Sequence, residues 1–231
     1  MRALLMAIVV LGLALVAGDR VAVIMAQNEI GRKIAAEYNL QREPSVDIRG
    51  FPFLTQAVDG RYPDVRIQVG DWREQDISVR DLDVALTEVT APLSDLLGGR
   101  TSNLVAATAR ATALVPYETV RGFAPSGTES ISHSPDGLRV TGTFSVEGVP
   151  IPATVVVTVA PADNGFEVTP VSVQAAAGGP TISLALLRRT LTFTVPLQRL
   201  PLGARLTAIT PGPNGLLVTA EAQDVHFSDL P

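Results

Sequence analysis

Between Val140 and Leu187 only Glu147, Asp163 and Glu167 carry charge. Within that stretch Ala153, Val155, Val157 and Val159 point one way, while Thr154, Val156, Thr158 and Ala160 point the other. Neither side is charged. A strand with a core on one side and water on the other alternates apolar with polar residues. Strands near-neutral on both sides predict a cover on both sides: a second sheet, a helix or an apolar ligand.

Three turn signals say how this half of the chain folds. Ser134-Pro-Asp-Gly137 joins Glu129–His133 to Leu138–Phe144, Ala162-Asp-Asn-Gly165 joins Thr154–Ala160 to Phe166–Val173, and Gly212-Pro-Asn-Gly215 joins Leu206–Thr210 to Leu216–Ala222. Asp-Gly and Asn-Gly pairs reach positive φ at low steric cost, as tight β-turns require. Antiparallel sheet is the expectation. Leu191–Val195 adds a strand, and 181–189 reads as a strand or a short helix.

The first half is more mixed. From Val21 to Leu40, Val23, Ala26, Ile30, Ile34 and Tyr38 form one helical stripe, and Glu43-Pro44 closes the helix. Ser45–Gly50 reads as a short strand, Phe51–Val58 as a short helix broken by Asp59-Gly60, and Asp64–Gly70 as an alternating strand. Ile77–Val89 alternates again. Thr90–Leu97 reads as a short helix ended by Gly98-Gly99, Leu104–Val115 as a strand, and Pro116–Gly122 as a short helix or turn. No exact repeat, charged tail or long linker interrupts the chain, so residues 19–231 read as a single domain.

The amino terminus carries a separate message. Met1-Arg2 precedes an uncharged run from Ala3 to Gly18. One arginine, an apolar stretch and small residues at its end read as a secretory signal, with a cleavage site at Val16-Ala17-Gly18. The alternative is an uncleaved anchor whose helix continues past Asp19-Arg20 into Val21–Ala26. Either way residues 1–18 direct export to the periplasm or cell envelope.

Composition removes most chemistry. The chain has 231 residues, 46% apolar and only 18% charged, with a mean hydropathy of +0.28 and a net charge of −5. It is too apolar for disorder and too acidic for a nucleic-acid binder that relies on a basic surface. The absence of cysteine excludes disulfides, thiolate metal sites and cysteine nucleophiles. His133 and His226 cannot build a three-histidine metal centre, and both read as surface residues. There is no Gly-x-Ser-x-Gly elbow, no P-loop and no His-Glu-x-x-His motif. Asp81 and Asp83 share a strand face and read as solvated carboxylates. No catalytic residue, metal or cofactor is expected.

One segment is more specific. Gly50-Phe-Pro-Phe-Leu-Thr-Gln56 is followed by Gly60-Arg61-Tyr62 and the strand Asp64–Val69. Later come Asp81-Leu-Asp-Val84, Val89-Thr-Ala-Pro-Leu-Ser-Asp-Leu-Leu97, and Leu200-Pro-Leu-Gly-Ala-Arg-Leu206 leading into the Pro-Asn-Gly hairpin. This order resembles the LmeA-like family of actinobacterial cell-envelope proteins, over nearly the whole chain after the leader. The resemblance implies phospholipid binding outside the cytoplasmic membrane and a role in the envelope; in mycobacterial relatives it implies support of mannan elongation in lipoglycans. It also implies an α+β fold similar to tubular lipid-binding domains, with a curved antiparallel sheet wrapping a long amphipathic helix beside an apolar groove.

An acyl chain gains roughly 0.8 kcal/mol per buried CH₂, so even half a chain in such a groove binds usefully. The wall candidates are Ile131, Val140, Phe144, Val155, Val157, Ile182, Leu184 and Leu187. Phe51, Phe53 and Leu54 are placed to gate the groove or enter the membrane interface. Arg61, Arg188 and Arg189 are the head-group candidates. The expected partners are phospholipid and a membrane surface, and nucleic acid is not expected. The alternative is a non-enzymatic scaffold or accessory subunit for a membrane-bound glycosyltransferase; a lipid or glycan hydrolase ranks third.

Overall fold

The structure is a computed structural model and describes all residues except 1, 75–76, 99, 101–102, 147, 163–164, 176–187, 189–190, 197–200 and 230–231. The fold is α+β: a long amino-terminal helix and two antiparallel sheets. Helix α1 (Arg2–Glu37) is continuous across Asp19-Arg20. It is followed by β1 (Ser45–Arg49), α2 (Phe53–Asp59), β2 (Arg61–Glu74), β3 (Ile77–Thr90), α3 (Leu93–Gly98), β4 (Val105–Val115) and α4 (Tyr117–Gly122). The rest is strand: β5 (Thr128–Ser134), β6 (Gly137–Val146), β7 (Val149–Ala162), β8 (Gly165–Ala175), β9 (Phe193–Pro196), β10 (Arg205–Gly212) and β11 (Gly215–His226). The six-stranded sheet has the order β1-β2-β3-β4-β11-β10, and the five-stranded sheet runs β5 to β9 in sequence order.

By internal contacts the chain forms two compact units, each assembled from several segments. The first holds 1–70, 83–110 and 222–231; the second holds 71–82 and 111–221. Both therefore draw on distant parts of the chain, which is why no linker is visible in the sequence.

In the first unit, α1 packs on β1, α2 and α3. Asp19, Val23, Ala26 and Gly31 form its buried stripe, spaced by roughly one helical turn. A Cβ at Gly31 would stand 2.7 Å from the Pro44 carbonyl oxygen, so only glycine lets the chain before β1 approach this closely. The expected stripe ends early: Ile30 and Ile34 are half-buried and Tyr38 is exposed. Helix α2 stops at Gly60, which takes the left-handed conformation (φ 64°) and whose carbonyl accepts the Ala91 N–H at 2.9 Å.

In the second unit, the five-stranded sheet has one closed face. Leu138, Val140, Phe144, Ile151, Ala153, Val155, Val157, Phe166, Val168 and Val195 are buried in one cluster with Val115, Val120, Leu216 and Val218. The other face carries Arg139, Thr143, Ser145, Thr158 and Glu167, all exposed, with Thr154 and Val156 half-buried. The cover expected on both sides of β7 is thus found in full on one side only. Threonine explains the difference: its hydroxyls hydrogen-bond along this face, Thr141 with Thr154 at 3.3 Å and Thr158 to the Thr169 carbonyl at 3.4 Å, so the face meets water without charge.

The hairpins form where expected, but their glycines do a different job. Ser134 pairs with Gly137 and Gly212 with Gly215, leaving Pro135-Asp136 and Pro213-Asn214 as the two-residue loops. Each glycine closes its turn as the first residue of the returning strand, with φ 135° at Gly137 and 152° at Gly215. At both positions a Cβ would stand 2.3 Å from a carbonyl oxygen, of Val157 and Val115 respectively.

Candidate functional site

In the first unit the site grows from a helix start that cannot cap itself. Pro52 precedes α2, has no side-chain hydrogen-bonding group, and leaves the first N–H groups of the helix needing acceptors. The acceptor comes from 35 residues earlier: the Asp19 Oδ1 takes the Leu54 N–H at 2.8 Å, and Phe53 N–H also bonds this carboxylate. Asp19 is only 2% exposed and pairs with Arg20 at 2.5 Å. The Arg20 guanidinium in turn lies over the Phe51 ring, 5.1 Å from its centroid. The Gly-Phe-Pro-Phe-Leu element is therefore fastened where the uncharged part of α1 ends.

Its three apolar side chains divide. Phe53 is 2% exposed and its ring lies 6.4 Å from that of Tyr62, so it is part of the core and neither gates a groove nor enters a membrane. Phe51 and Leu54 face outward, 60% and 45% exposed, and Val58 joins them at 87%. Helical spacing explains the split: Phe53 and Ala57 sit on the buried face, Leu54 and Val58 on the opposite one. Val58 was missed in the sequence, as was the Asp19 latch; the signal for the latter was an apolar run ending in Asp just ahead of a helix with no cap of its own. Beside α2 an open cleft of about 330 Å³ is lined by residues 57–60 and 90–93, with Asp59 its one charged side chain. Burial raises the Tyr62 phenol pKa, and its hydroxyl has no hydrogen-bond partner among the described residues.

In the second unit the structure brings together five of the eight wall candidates. Ile131 pairs with Val140, Val140 with Val155 and Val155 with Val173, giving an unbroken apolar row across β5–β8. With strands about 4.8 Å apart, the row is roughly 14 Å long. Val157 and Phe144 lie on the same closed face, paired with Leu138 and Ile151. All five candidates are 0–9% exposed, packed as core against Val115, Val120, Leu216 and Val218. Ile182, Leu184 and Leu187 lie outside the described residues.

The head-group candidates are not gathered in one place. Arg61 is exposed at the start of β2 in the first unit. Arg188, in the second, is exposed and donates its Nε–H to the Pro170 carbonyl at 3.2 Å. Arg189 lies outside the described residues. Asp81 and Asp83 are not a plain strand pair, because Asp81 takes a left-handed conformation (φ 52°) that breaks the alternation. Among the described residues, no group of three histidine or carboxylate side chains is placed to hold a metal.

Helix α1 is long and apolar enough to cross a membrane, and every described residue from 2 to 18 is exposed. Comparison with known proteins adds one match: the family model described as LmeA-like phospholipid-binding covers residues 17–221. No curated protein and no solved structure matches the chain.

Proposed function

Because the chain belongs to the LmeA-like phospholipid-binding family, we propose that it is a non-enzymatic phospholipid carrier of the cell envelope, tethered by α1 and serving the assembly of envelope lipids or lipoglycans. An acyl chain lies along the Ile131–Val140–Val155–Val173 row, where it takes the place of contacts now made by Val115, Val120, Leu216 and Val218. The observation that supports this reading is that row: apolar side chains continuous across four strands, in the part of the sequence poorest in charge. Valine and alanine walls lose only small contacts each when the face opens, and burying acyl CH₂ groups offsets that loss. The exposed Arg188 guanidinium, a flat fork of donors, is the head-group ligand on this unit.

Photo-cross-linking tests the assignment. The full chain is incorporated into phosphatidylglycerol-containing vesicles with a phospholipid bearing a diazirine at the acyl terminus, illuminated and mapped by peptide mass spectrometry. Labelling of peptides from β6 and β7 is expected. Labelling confined to residues 2–37 and 51–58 would remove the acyl site from the second unit.

A further inference from the structure

We propose that the outward stripe Phe51–Leu54–Val58 is a membrane-docking surface, seated in the head-group layer of the same bilayer that α1 enters. This rests on the tether of the proposed function but not on its acyl-binding site. Three observations in the first unit carry it.

The first is a length. The uncharged run Ala3–Gly18 is 16 residues, about 24 Å of helix against a hydrocarbon core of about 30 Å. A span that short has to thin the bilayer or bring flanking side chains into the interface. The flanking side chains suit the second course: Val21, Ile24 and Met25 are exposed beyond Arg20, and a long arginine can extend its head to the lipid phosphates while its stem stays in apolar surroundings.

The second is a position. The Asp19–Leu54 hydrogen bond and the Arg20–Phe51 ring contact hold α2 at the end of the uncharged run. Whatever depth Asp19 and Arg20 take, Phe51 and Leu54 share it. The third is the stripe itself. Phe51, Leu54 and Val58 follow one another at helical spacing, all outward, while Phe53 and Ala57 hold the other side of the helix in the core. An aromatic ring and two aliphatic side chains beside an arginine match the interfacial zone of a bilayer, where amphipathic helices lie with their apolar side sunk a few ångströms. The continuity of this stripe with the membrane segment is what selects lipid over a second copy of the chain or another protein as its occupant.

The experiment uses the full chain reconstituted in vesicles. Trp72, the single tryptophan, is replaced by phenylalanine, and a reporter is placed by Phe51→Trp, Leu54→Trp or, as a control for insertion, Val10→Trp. Phospholipids brominated near the glycerol or near the chain terminus then quench by depth. The expected result is blue-shifted emission at positions 51 and 54, quenched most by the shallow bromines, with position 10 quenched most by the deep ones. Adding Val58→Glu to the Phe51→Trp chain, an exposed change that spares the core, should weaken the shallow quenching at least severalfold. Solvent-like emission at 51 and 54 would overturn the proposal, whether or not position 10 is quenched. So would blue-shifted emission that no brominated lipid quenches, since that places protein over the stripe. Failure of cross-linking at β6 and β7 alongside shallow quenching here would reject the carrier reading and leave the docking surface standing.

Discussion

Adjacent residues of the Gly-Phe-Pro-Phe-Leu element have opposite duties, and substitution should separate them. Phe53 fills core space against Tyr62, so Phe53→Ala should cost about 3–5 kcal/mol of stability, seen as a lower denaturant midpoint. Leu54→Ala, at an exposed position, should change stability by no more than about 0.5 kcal/mol. Equal losses for the two would contradict the split. At Asp95 the account predicts a pH dependence. The Asn103 amide and the Arg100 guanidinium hydrogen-bond its carboxylate and, against burial, hold its pKa below the usual range. A carboxyl lowered in the fold stabilises fully above its unfolded pKa of about 3.9 and loses that contribution as pH falls through the folded value. Between about pH 5 and pH 2, Tm should therefore fall more steeply for the natural chain than for Asp95→Asn; parallel curves would show that this carboxylate adds nothing. These partnerships were not legible in the sequence. Asp19 meets α2 across 35 residues, a distance no local pattern encodes.

Elements were far easier to foresee, because periodicity and turn chemistry are local. The strands on either side of 134–137, 162–165 and 212–215 form within a few residues of their expected ends. So does α2, which stops one residue later than its apolar run. What local patterns missed is length and the role of the turn glycines. Strand β2 runs from Arg61 to Glu74, well beyond the alternation at 64–70, because a paired neighbour holds a strand that its own sequence barely marks. The glycines close their turns and let another chain segment approach. Gly215 shows this most clearly: its hairpin is pressed against the end of β4, and the Tyr117 hydroxyl donates to the Gly212 carbonyl at 2.6 Å. Gly215→Ala puts a Cβ into the Val115 carbonyl at a backbone angle disfavoured for alanine. A loss of about 1–3 kcal/mol is expected by thermal or denaturant unfolding. A neutral result would mean that the hairpin does not approach Val115 this closely.

On the scale of the whole molecule, two compact units divide the work: one joins the apolar helix to an outward stripe, the other encloses a closed apolar sheet face. The sparsity of charge between Val140 and Leu187 pointed to that face, but only the structure shows its core side closed and its threonine side open to water. Phe144 is the largest of the described wall side chains. Phe144→Ala should lower stability by about 3–5 kcal/mol, checked by denaturant unfolding of the full chain. The central claim is that this chain holds phospholipid, and native mass spectrometry of the full chain, released from detergent after exposure to vesicles, tests it most directly. The account predicts a discrete phospholipid adduct that survives removal of the detergent; a chain that emerges bare at every lipid concentration would contradict it.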